Sequence, residues 1–140
     1  MTAIPAHFAE HAPVAPTSSP PAGVNAILRL EGAAAFAAAI AIYAHAGFSW
    51  PLFAILLLAP DLAMLAYLVG PRAGAAAYNF VHTYALSVPF ALAGFIFASP
   101  IVSALGLVWI AHIGMDRMLG YGLKHASGFA DTHLGRIGRK

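Results

Sequence analysis

Four apolar runs dominate the chain, each bounded by proline, glycine or serine. The first extends from about Gly32 to Phe48 and stops at Ser49-Trp50-Pro51; the second runs from Pro51 to Val69 and stops at Gly70-Pro71. The third extends from about Ala73 to Ala98 with no Asp, Glu, Lys or Arg, and the fourth opens at Ser99-Pro100 and continues to about Leu123. Each is roughly 17 to 26 residues long, and ~20 helical residues cross the ~30 Å hydrocarbon of a bilayer. The pattern predicts an all-α integral membrane protein, a four-transmembrane-helix antiparallel bundle over residues 26–124. Connections this short force neighbouring spans to run in opposite directions. Pro51, Pro71 and Pro100 stand where proline opens a helix at little cost, and the alanines of the first run let backbones approach closely.

Residues 1–25 differ. They hold Pro5, Pro13, Pro16, Pro20 and Pro21 without hydrophobic periodicity, and such composition is expected to stay disordered. Residues 125–140 are polar and read as a C-terminal tail, in which Asp131-Thr132-His133 forms either a solvated turn or a segment folded back under the bundle as a lid or extra ligands. Apolar residues make up 61% of the chain and charged ones 9%, against ~25% charged in ordinary soluble domains. A soluble enzyme is thereby excluded. The absence of cysteine removes disulfides and thiolate ligands. Seven Lys and Arg are too few for a nucleic-acid surface, so the expected partner is the lipid bilayer, with a membrane-protein partner or a homo-oligomer left open. Arg29, Arg72, Lys124, Arg136, Arg139 and Lys140 all fall on one side of a four-span topology. By the positive-inside rule both termini are expected in the cytoplasm of a bacterial inner membrane.

Against this background Asp61, His82, His112, Asp116 and Arg117 stand out, because all five lie inside spans. A charge at mid-bilayer costs about 2.5–3.5 kcal/mol on insertion scales, so each requires a partner or a wet cavity. At ~1.5 Å per residue, Asp61 lies about 14 Å from Gly70, His82 about 15 Å from Arg72 and His112 about 17 Å from Leu123. Three spans therefore bring ionisable groups to one level. Continuous helical phase predicts a stripe of Asn79, His82 and Leu86 on the third span, with Tyr78 one turn before His82. On the fourth, Trp109, His112, Asp116 and Gly120 share a face, and the four-residue spacing of His112 and Asp116 suits two ligands of one ion. Pro60 lacks a backbone donor and is expected to kink or wet the second span. Three readings stay open: interhelical hydrogen-bonded glue in a scaffold or subunit, a proton or ion relay, and a metal site. In the last, Asp61, His82, His112 and Asp116 ligate zinc, iron or manganese. Tyr78 and Asn79 then support the ligands, and Arg117 stabilises negative charge during hydrolysis.

The order Pro60-Asp61-Leu62-Ala63-Met64-Leu65, Gly70-Pro71-Arg72, Tyr78-Asn79 and His82-Thr83-Tyr84 continues through Ala111-His112-Ile113-Gly114-Met115-Asp116-Arg117. Gly120-Tyr121-Gly122-Leu123-Lys124 and Asp131-Thr132-His133-Leu134-Gly135-Arg136 follow. Together these motifs resemble a small bacterial four-span membrane family of unknown function, over about residues 26–140. The resemblance implies the span count and no activity. A weaker likeness is to membrane-bound metal-dependent hydrolases, whose paired His-Arg and Thr-His signature is missing here. The topology is checked by reporter fusions at Lys140 and in the 98–101 loop, which are expected on opposite sides of the membrane. The same side for both would overturn the four-span reading.

Overall fold

The computed structural model describes residues 20–138. Its elements are α1 (Ala22–His45), α2 (Trp50–Leu56), a 3₁₀ helix (Ala59–Leu68), α3 (Pro71–Val81), α4 (Tyr84–Ile96) and α5 (Pro100–Leu119). A hairpin of β1 (Asp131–Thr132) and β2 (Gly135–Arg136) follows. The segments Ala22–His45, Trp50–Leu68, Pro71–Ile96 and Pro100–Leu119 are long and apolar enough to cross a membrane. The protein is an all-α bundle of four spans. Ile55, Leu68, Phe80, Ile96 and Phe97 point outward with most of their surface exposed, as lipid contact requires.

Two spans are not the continuous helices that periodicity predicts. The second changes from α to 3₁₀ geometry at Ala59, one residue before Pro60, whose missing N–H cannot serve the α ladder. The third breaks at His82–Thr83: Thr83 is extended, and its hydroxyl accepts from the Ala85 N–H at 3.2 Å to start α4. Leu86 therefore belongs to a new helix, and the Asn79–His82–Leu86 stripe ends at His82. The first span starts earlier than its apolar run, at Ala22, which makes residues 22–25 helical. The expectation of disorder over residues 1–19 lies outside the described residues.

Small side chains set the packing. α5 is the central helix, gripped by antiparallel α1 on one side and α4 on the other. A Cβ on Gly114 would stand 2.7 Å from the Phe36 nitrogen, and one on Gly106 would stand 2.5 Å from the Ala91 Cα. On α1, a Cβ at Gly32 would meet the Arg117 Cβ at 2.6 Å. Helices in a membrane gain from such close approach because lipid tails are as apolar as the side chains they would replace. At the far end, Tyr43 is fully buried and its hydroxyl donates to the Ser49 carbonyl at 2.6 Å. Phe48, Trp50 and Phe53 lie around its ring at centroid distances of 5.3, 5.5 and 5.0 Å. The 3₁₀ helix packs separately on α3, with Gly74 seated against the Tyr67 ring.

Overpacking either glycine of α5 should destabilise the bundle. Gly106→Leu and Gly114→Leu are each expected to cost about 1–3 kcal/mol, whereas Gly23→Leu, with open space around it, should be near neutral. Melting of the three variants in nanodiscs checks this; equal melting would show that close backbone approach does not hold the bundle together.

Candidate metal centre

Each break in the spans lies at or just before a residue of the polar cluster. Asp61 follows Pro60 in the first turn of the 3₁₀ helix. His82 caps the C-terminus of α3, where the chain leaves helical geometry. His112 and Asp116 lie one turn apart on the unbroken α5. One atom from each of the four residues falls within 4.8 Å of the other three. The two imidazole Nε2 atoms are 3.0 Å apart. Asp61 Oδ1 is 3.5 Å from His82 Nε2 and 3.6 Å from His112 Nε2; Asp116 Oδ2 is 3.6 and 3.8 Å from the same atoms. The structure thus brings Asp61, His82, His112 and Asp116 together from three spans.

Hydrogen bonds around the cluster determine which atoms face inward. His82 Nδ1 lies 2.9 Å from the Tyr78 carbonyl. A carbonyl has no proton to give, so Nδ1 carries it and Nε2 presents a lone pair to the cluster, the arrangement usual for a ligating histidine. Tyr78 stacks on the His82 ring at 3.6 Å and donates its hydroxyl to Asp116 Oδ2 at 2.9 Å. It touches two of the four residues and holds both. His112 is fully buried, and its Nδ1 has no hydrogen-bond partner among the described residues. The Asp61 side chain is 30% exposed, making it the most accessible of the four. Arg117 turns to the Tyr84 ring, 4.4 Å from its centroid, and makes no ion pair with a carboxylate among the described residues.

Asn79 serves a different structure. Its side chain donates to the Lys124 carbonyl at 2.8 Å and accepts from the Lys124 N–H at 2.7 Å. That clamp holds a C-terminal cap, not the solvated turn that polarity alone suggested. Gly120, in the left-handed region at φ 96°, ends α5 and reverses the chain. Leu123 and His133 then pair: the Leu123 N–H donates to His133 Nδ1 at 2.8 Å, and the His133 N–H returns to the Leu123 carbonyl at 3.0 Å. Thr132, Leu134 and Lys124 are buried by this fold. Lys124 places its ammonium 5.0 Å from the Tyr78 ring centroid and 4.1 Å from that of Phe129. Burial pushes the ammonium below its usual pKa, while Asp116 and Asp61 pull it back up. Sequence reasoning missed Lys124 as a site neighbour, counting it only as an orienting surface charge. Its signal is the Gly120-Tyr121-Gly122 turn, which returns the chain beneath α5.

The family model that matches, the domain of unknown function DUF4260, covers residues 25–137. The chain belongs to the DUF4260 family. Neither a curated protein nor a solved structure matches it. The matched DUF4260 region holds the whole cluster and nearly all of the cap, so centre and cap lie within one family unit.

His133 gives the cap an expected pH dependence of its own. Burial, with help from the Arg117 charge, holds the His133 imidazole below its ordinary value of 6.5. A lowered folded value means that the neutral ring's contribution is complete above pH 6.5 and is lost as pH falls below it. The bond from Leu123 likewise needs an unprotonated Nδ1. Hydrogen exchange at Leu123 and Lys124, corrected for intrinsic rates, should lose protection as pH falls below 6.5. His133→Gln should remove that dependence; a cap whose protection ignores pH in the wild type would contradict the assignment.

Proposed function

We propose that Asp61, His82, His112 and Asp116 bind one divalent ion (zinc, iron or manganese) and that the centre hydrolyses a membrane-associated substrate. The observation that carries the reading is the convergence of two imidazole nitrogens and two carboxylate oxygens, with at least one nitrogen lone pair aimed inward. Two carboxylates this close in apolar surroundings repel one another unless a positive charge lies between them. Tetrahedral zinc bonds of ~2.0–2.1 Å separate donors by about 3.3 Å. The donor spacings here run from 3.0 Å between the nitrogens to 3.8 Å between nitrogen and oxygen, and two imidazoles with two carboxylates are a donor set that zinc, iron and manganese all accept. Bound there, the ion would supply an activated water and polarise a phosphoryl or acyl oxygen.

The chain's own residues have distinct tasks in this reading. Tyr78 fixes Asp116 through its hydroxyl, and its carbonyl sets the His82 tautomer. Arg117 supplies positive charge next to Asp116 and is restrained by the Tyr84 ring. Accessible Asp61, on a lipid-facing span, is the side from which an amphiphilic substrate would approach. The charge distribution favours an orientation with the Arg29 and Lys124 end in the cytoplasm.

A second reading is favoured by the hydrogen bonds already present. Tyr78 to Asp116 and His82 to His112 join α3 to α5 without an ion, as a scaffold or complex subunit would need. Metal counting and melting separate the two. Wild type should hold one ion per chain and melt lower after prolonged chelation, since an ion at 100 times its Kd adds about 2.7 kcal/mol to the folded state. His112→Ala should hold none and ignore the chelator. Metal-free protein as isolated, with a chelator-insensitive melt, would leave the scaffold reading. Stoichiometric metal without metal-dependent cleavage of phosphodiester or ester lipid analogues would keep the ion and reject hydrolysis.

A further inference from the structure

Away from the metal centre, a two-limbed groove runs along the first turns of α1 at the end of the bundle that carries the cap. Its apolar limb is an open trough of about 600 Å³ along Ala22, Ala26, Leu30, Ala33 and Met118. Its polar limb, about 390 Å³, passes Gly120 and reaches Arg136. Asn25 and Arg29 line both limbs, and no carboxylate lines either among the described residues. Arg29 therefore stands at the junction. Its Nε donates to the Met118 carbonyl at 2.9 Å, which fixes the guanidinium at the end of α5. Its two terminal amino groups meet no protein acceptor among the described residues. Arg136, at the far end of the polar limb, is exposed and only 3.6 Å-paired with Asp131.

We propose that this groove binds one anionic phospholipid, an acyl chain in the apolar limb and the phosphate on Arg29 in the polar limb. The depth agrees: Gly32 on α1 packs beside Arg117 and Met118, so Arg29 lies where the last turn of α5 gives way to the cap. That is the headgroup level for spans of this length. The chemistry agrees as well. A guanidinium with Nε engaged keeps two amino groups whose N–H donors match phosphate oxygens, and the α5 carbonyl it caps carries only partial charge. A net positive charge beside an apolar slot selects an anionic amphiphile over a zwitterionic one. The cap contributes directly, because Leu134, Gly135 and Ile137 form a wall of the polar limb.

The test uses the full-length protein in phosphatidylcholine nanodiscs titrated with phosphatidylglycerol, with retained lipids counted by native mass spectrometry. Wild type is expected to retain one phosphatidylglycerol, preferred about tenfold over phosphatidylcholine, and Arg29→Gln should erase that preference. Arg29→Gln also removes a bond that closes α5, so a second variant is needed. Ala26→Trp fills the apolar limb without touching the bond to Met118 and should evict the lipid while Arg29 stays in place. Inorganic phosphate at millimolar concentration should not compete. Equal retention of the two lipids by wild type, or unchanged phosphatidylglycerol retention in both variants, would overturn the proposal. Competition by free phosphate would make the site an ion site and overturn it equally.

Discussion

Two carboxylates and two imidazoles meet inside an apolar bundle, and the architecture is arranged around the cost of holding them there. A lone charge at mid-bilayer costs several kcal/mol; two carboxylates side by side add mutual repulsion. Tyr78 offsets part of this by donating to Asp116. Lys124, drawn in beneath the cluster by the cap, adds a positive charge that Asp116 and Asp61 both feel. A divalent ion between the four donors would remove the rest. Each device needs backbone to be brought to a place where regular helices alone would not put it.

That requirement explains where the helices break. An unbroken third span would continue its hydrogen-bond ladder past His82 and hold the ring against a helical neighbour. Ending α3 at Val81 frees His82 to bond the Tyr78 carbonyl through Nδ1 and turn Nε2 toward His112. The 3₁₀ helix does the same for Asp61 by a different route. At ~2.0 Å per residue it rises faster than an α-helix and turns its side chains differently, and Pro60 makes the change inexpensive. Irregular backbone at membrane depth is tolerated where it lines a polar site, and here it does. α5 remains regular because His112 and Asp116 need only the four-residue repeat.

The parts that were legible in the sequence are those governed by length, burial cost and short-range spacing. Apolar run lengths were enough for four spans, and the cost of a buried charge drew attention to Asp61, His82, His112 and Asp116. Their depths agreed even though two of the spans depart from the α rise. Less legible were features that depend on long-range partners. The Asn79–Leu86 stripe assumed an α-helix through Thr83, whereas the Thr83 hydroxyl starts a new helix. Asn79 was expected to support the ligands because it shares a helical phase with His82, yet its partner is the Lys124 backbone, 45 residues away. The choice between a solvated turn and a folded-back lid stayed open for the same reason: polar composition says nothing about an amide clamp waiting on α3.

The placement of the cluster also determines what else it does. Close backbone packing joins α1 and α4 to α5, and separately joins the 3₁₀ helix to α3. Between these two units run hydrogen bonds of Tyr78 with Asp116, His82 with His112, Trp109 with the Val81 carbonyl, and Asn79 with Lys124. Hydrophobic force cannot hold such units together in lipid, where apolar surfaces are already solvated. The cluster is therefore the joint as well as the candidate centre. This reconciles the metal and glue readings at the level of mechanism, since the bonds that join the units also orient the donors. Were the proposed ion bound, its occupancy and the assembly of the two units would be linked equilibria, because an ion that binds only the joined form stabilises the joint by mass action. Any substitution that loosens the joint, even one distant from the four donors, weakens the centre by the same linkage.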